Sequence, residues 1–143
     1  PLSFNTAIVE TRPDMVEALP DDVDLRLSPL PEAEVANIPA GGAAVILTHD
    51  HALDFLIATE ALKRDDLAYC GMIGSKTKRA TFLRYAREQG LADTAISRRV
   101  MPIGGTTVSD KRPAVIAALV AAELISVIHA AKAGRLHTVD AAR

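Results

Sequence analysis

Two short segments hold the residue types that could do chemistry. The first is Thr48-His49-Asp50-His51, at the end of an apolar run. Two imidazoles one residue apart admit three readings. They can begin a metal site, but such a site needs three or four ligands, and no further His or Cys is near in sequence. They can stand in solvent beside an Asp50 that caps a helix. Or they can form a polar floor for a ligand, since a neutral imidazole both donates and accepts. The floor is the reading adopted. The second segment is Gly71-Met72-Ile73-Gly74-Ser75-Lys76-Thr77-Lys78-Arg79. Gly74 lets backbone approach a ligand, and a helix capped by Ser75 presents free N–H groups and partial positive charge. Lys76, Lys78 and Arg79 add formal charge to that turn. Cations at a helix start oppose its dipole by up to about 1 kcal/mol each, a conflict that a bound anion removes. The competing reading is a solvated basic face, continued by Arg84 and Arg87. The segment is not a Walker A loop, because Ser75 separates the second glycine from the lysine.

Two further positions carry less. Glu10 ends a strand-like run, where dinucleotide folds place an acidic residue against ribose hydroxyls. The glycine-rich turn that should precede it is absent, so a solvated carboxylate stays open as the alternative. Gly104-Gly105-Thr106-Thr107, followed by Lys111-Arg112-Pro113, offers another turn into a helix, or a plain loop. Cys70 falls inside a strand, where a free thiol acts as a small apolar group. No nucleophile–base arrangement is visible. The residues therefore describe a binding site for an anionic small molecule, without catalytic machinery.

Elements must place these segments together. Residues 5–10, 24–28, 43–48, 67–73 and 99–103 read as strands; 43–48 is continuously apolar, as for a strand buried on both faces. A turn with one helical turn at 11–19 and a short helix at 32–37 punctuate the first half. Residues 51–64 read as a helix burying Leu53, Leu56, Ile57 and Ala61 while Asp54, Glu60 and Lys63 face water. A second helix covers 76–89 and closes on Gly90. A third runs from Pro113 to about 133, stopped by Gly134 and followed by a loose tail, 137–143. It is apolar around most of its circumference, which suits deep burial or a homodimer interface. Strands alternating with helices predict an α/β, doubly wound, mostly parallel Rossmann-like sheet over 1–136. Ligands then bind beyond the carboxyl ends of the strands, where both segments lie.

Composition agrees. The chain has 143 residues, 49% of them apolar and only 3% aromatic, so Ala, Val, Leu and Ile must fill the core. The formal charge of −2 argues for neither nucleic acid nor anionic membrane as a partner. One cysteine and no leader-like segment suit a cytoplasmic protein. The longest apolar stretch, 114–128, falls short of the roughly 20 residues of a membrane span.

The runs VILTHDHALD (45–54), GMIGSKTKRATFL (71–83), PIGG (102–105) and KRPAVIAALVAAEL (111–124) resemble the C-terminal Rossmann-like domain of the XdhC family, the xanthine dehydrogenase accessory proteins. That resemblance implies a maturation factor rather than an enzyme. Such a factor binds molybdenum cofactor (molybdopterin), supports its sulfuration with a sulfur source such as a cysteine desulfurase, and delivers it to a xanthine dehydrogenase-type molybdenum hydroxylase. Amides, Lys76 and Arg79 would take the cofactor's phosphate; His49 and His51 would take the pterin edges. The sequence departs from the family at Met101, where Cys is common, at Cys70, where an apolar residue is usual, and at Arg112, where Glu is frequent. It therefore offers no matched thiolate. The family domain also opens with a strand and a glycine-rich turn that have no counterpart here. A separate piece, a neighbouring chain or a further segment is expected to supply that strand between those at 5–10 and 43–48, which then do not pair with each other; a rearranged sheet is the alternative. An NAD(P)-binding oxidoreductase domain, with Glu10 reading a ribose, and a non-binding assembly module are the competing functions.

Overall fold

The computed structural model describes residues 5–18, 24–105, 110 and 112–141. Thr106, Thr107 and Lys111, named above, and the last residue of the 11–19 segment lie outside the described residues. The chain divides into two compact units, Pro1–Asn37 and Ile38–Arg143. The described strands form two separate sheets, β1-β2 and β3-β4-β5, and every pairing is parallel.

In the first unit, β1 (Ala7–Glu10) pairs with β2 (Asp24–Leu27) in the register Ala7↔Asp24 to Glu10↔Leu27. The helical turns foreseen around 11–19 and 32–37 form as 3-10 helices, Pro13–Ala18 and Pro31–Asn37. Both begin on proline, whose fixed φ suits a first helical position.

The second unit carries β3 (Ala43–Ile46), α1 (His51–Lys63), β4 (Tyr69–Met72), α2 (Lys76–Glu88), α3 (Asp93–Ile96), β5 (Arg99–Val100) and α4 (Pro113–Ala141). The strands are shorter than the apolar runs because their last residues turn out into loops. Pro102, with no N–H to donate, lies just beyond β5. The four-residue α3 carries too little periodicity to be foreseen. Phe82, Ala86, Phe55, Ala58 and Leu62 form the buried side of α1 and α2. The Phe55 and Phe82 rings lie 5.3 Å apart. On the other face, α4 lays Ile116, Val120, Leu124 and Val127 against Tyr69, Ala43, Val100 and Ile103.

Three expectations fail here. The 43–48 run is not buried on both faces: Val45 is 37% and Leu47 60% exposed. Among the described strands β3 lies at an edge, and α4 packs on β4 beside it. Secondly, α4 does not stop at Gly134 but continues to Ala141. One glycine costs a helix only about 1 kcal/mol relative to alanine, and alanine, arginine and leucine surround this one. Thirdly, α4 is not deeply buried. Only 6% of its Pro113–Ala130 segment is covered, and by length and composition that segment could cross a membrane.

Candidate functional site

β3 and β4 are adjacent and parallel, so the loops that leave their carboxyl ends emerge side by side. Ile73 N–H donates to the Ile46 carbonyl at 3.1 Å, and Ile103 N–H to the Met72 carbonyl at 3.2 Å, carrying the ladder past the strand ends. The two chemistry-bearing segments therefore share one rim, as the sequence predicts.

A buried ion pair ties them together. Asp54 on α1 and Lys78 on α2 meet at 2.6 Å, with side chains 0% and 4% exposed. Asp54 Oδ1 accepts from the Thr48 N–H at 2.8 Å, and Lys78 Nζ donates to the Ile73 carbonyl at 2.7 Å. The chain of contacts runs from one strand end to the other: Thr48, Asp54, Lys78, Ile73. Two expectations are corrected by it. Asp54 does not face water, and Lys78 does not wait for an external anion, because each already neutralises the other inside the protein.

The remaining residues of the first loop divide by role. Thr48 Oγ1 donates to the Asp50 carbonyl at 2.9 Å and accepts from the Asp50 N–H at 3.1 Å. The Asp50 carboxylate caps α1, accepting from the Ala52 N–H at 2.9 Å. Thr48 and Asp50 thus brace the loop, while His49 and His51 stand exposed. In the second loop Ser75 caps α2 by accepting from the Lys78 N–H at 3.2 Å. The amides of Lys76 and Thr77 precede the first intrahelical bond, and the Lys76 side chain is exposed. Leu47 at 60% and Ile73 at 41% exposure add apolar surface to the same rim.

Arg79 is exposed and bears on other cations. Burial, and then the charges of Arg79 and Arg87, hold the Arg99 guanidinium below the ordinary arginine value. Gly74 serves packing rather than an open backbone. A Cβ there would collide with the Met101 methyl and come within 3.2 Å of Lys78 Cδ. Gly104 adopts φ +81° in the turn after β5, and a Cβ there would come within 3.3 Å of Leu119 of α4. Glu10 lies in the other unit. Its Oε1 accepts from the Thr11 and Arg12 N–H groups at 3.0 and 3.1 Å and from Arg12 Nε at 3.1 Å. Arg12 holds this carboxyl below its usual value.

The rim is open rather than enclosed. A cavity of about 200 Å³ lies at the opposite edge, beside the start of β4, lined by Leu62, Arg64, Tyr69, Cys70 and Arg98 among others. Cys70 is 6% exposed, and burial pushes its thiol up to about 12. Asp54 is the buried residue linking the two loops that the sequence reading places in water. Its signal was spacing: Asp54 is in phase with Ala58 and Leu62, and Lys78 with Phe82 and Ala86, so each charge lies on a buried stripe.

The family model described as the XdhC Rossmann domain matches residues 1–124. A solved structure from Bacillus halodurans, described as a xanthine dehydrogenase, is similar with a TM-score of 0.69 and 24% identity. The match covers 89% of this chain and 36% of that one, and at this identity it shows the fold alone. No curated protein sequence matches the chain.

Proposed function

Because this chain belongs to the XdhC family, matched through its Rossmann domain, we propose that it binds molybdenum cofactor as cargo and serves the maturation of a xanthine dehydrogenase-type molybdenum hydroxylase. The observation that carries this reading is the shared rim. Two loops from adjacent strands are joined beneath the surface by Asp54 and Lys78, and above it they leave imidazoles, a lysine, helix amides and apolar side chains exposed. A pterin with a terminal phosphate needs those partners. The phosphate takes the Lys76 ammonium and the first amides of α2, where the helix dipole also favours negative charge. His49 and His51 meet the polar pterin edges, and Leu47 and Ile73 its flat face. Cys70, the one cysteine in this sequence, is sealed in β4, so it is not the group that passes sulfur to the cargo; a cysteine desulfurase is the proposed source.

The test is chemical. Intact protein is purified from cells that make the cofactor, its pterin is released by acid oxidation, and fluorescence is compared with an NAD(H) titration. Stoichiometric pterin with no saturable dinucleotide binding is the expected result. Dinucleotide binding with turnover and no pterin would replace this reading with an oxidoreductase.

A further inference from the structure

We propose that Asp54 and Lys78 are positioning residues for binding at the rim, a role that rests on the anionic-pterin reading but has its own test. Stability alone does not explain them. A buried ion pair costs so much desolvation that apolar replacements of similar size are often neutral or stabilising. What an apolar pair cannot do is hold two named backbone atoms. Asp54 Oδ1 fixes the Thr48 N–H and Lys78 Nζ fixes the Ile73 carbonyl, immediately ahead of the residues that present His49, His51, Ser75 and Lys76. The fit around the pair is tight. Gly74, lacking a Cβ, leaves room for the Lys78 stem and the Met101 methyl. The pair thus sets the spacing between two loops that must grip one molecule. Neither side chain reaches the ligand, since both are sealed from solvent.

The decisive variant is Asp54→Leu with Lys78→Met in the intact protein, which removes both charges and keeps the bulk. Three quantities are read: melting temperature, amide hydrogen exchange, and affinity for cofactor released from a molybdenum hydroxylase. The expected result is a melting temperature near the parent's and exchange at Thr48 at least about tenfold faster, with the α1 interior unchanged. Affinity falls about tenfold in protein that is still folded, as a small misplacement of gripping groups demands. A pair that only stabilises would lower affinity no further than the folded fraction falls. Parent-like affinity in the folded double variant overturns the proposal. If that variant does not fold, Asp54→Asn carries the same test, and parent-like affinity overturns the proposal there too. If the unmodified protein binds no pterin, the pterin reading falls by itself. Thr48 exchange then still tests the positioning role, because exchange unchanged from the parent's overturns it.

Discussion

Asp54 and Lys78 are charges taken out of water, and removing one partner strands the other. Lys78→Met alone should therefore destabilise the protein by about 3–5 kcal/mol in chemical denaturation. The exposed Lys76→Met should stay within about 0.5 kcal/mol of the parent. The sequence reading grouped these two lysines as one basic turn because composition cannot separate neighbours that face opposite ways. Phase separates them: Lys78 repeats with Phe82 and Ala86, and Lys76 does not. On α1 the phase was harder to see. Leu53, Leu56 and Ile57 make a second apolar stripe, and it is the less buried one. Cys70 and Tyr69 give a pH prediction at the same scale. Burial pushes the Cys70 thiol from 9.0 up to about 12. Burial first, and then the hydrogen bond to Glu123, raise the Tyr69 hydroxyl above its usual 10.0. Both groups favour the neutral form when folded. Their contributions are complete below the unfolded values and are lost as pH climbs through 9 and 10 toward the folded ones. Stability should therefore fall between about pH 8 and about pH 11, and less steeply in Cys70→Ala. Iodoacetamide should leave Cys70 unlabelled in the folded protein at about pH 8 and label it after denaturation, as mass spectrometry reads directly.

Elements were legible where one local rule dominates. Apolar or alternating runs marked the five described strands, and Asp50 and Ser75 marked the starts of the helices that follow β3 and β4. Asp50→Ala and Ser75→Ala should each cost about 1 kcal/mol through the lost cap. Strand ends and the end of α4 were less legible, because tertiary context decides them. A ladder ends where the partner ends, and a lone Gly134 does not outweigh the helix formers around it. The link between sheet and α4 was not legible at all. The Tyr69 hydroxyl donates to Glu123 Oε2 at 2.7 Å across 54 residues of sequence. Tyr69→Phe should cost about 1 kcal/mol in thermal unfolding, reporting that α4 is held to the sheet by a polar contact as well as by Val120.

At the scale of the whole molecule, the sequence motifs mark a family, and the fold explains why those motifs work together. THDH and GSKTKR are separated in sequence but follow neighbouring parallel strands, so topology brings them to one rim. The partners of each strand were not legible, since local patterns show strands but not which ladders form. The account stands on that rim holding an anionic pterin, and its most direct test is charge reversal at Lys76. Pterin affinity is measured for the parent, for Lys76→Glu, and for Lys63→Glu at the far end of α1. Reversing one charge beside a phosphate at a partly exposed site is worth a few kcal/mol at most, so Lys76→Glu should bind at least about tenfold more weakly. Lys63→Glu should bind as the parent does. Equal affinity in all three proteins would contradict the account.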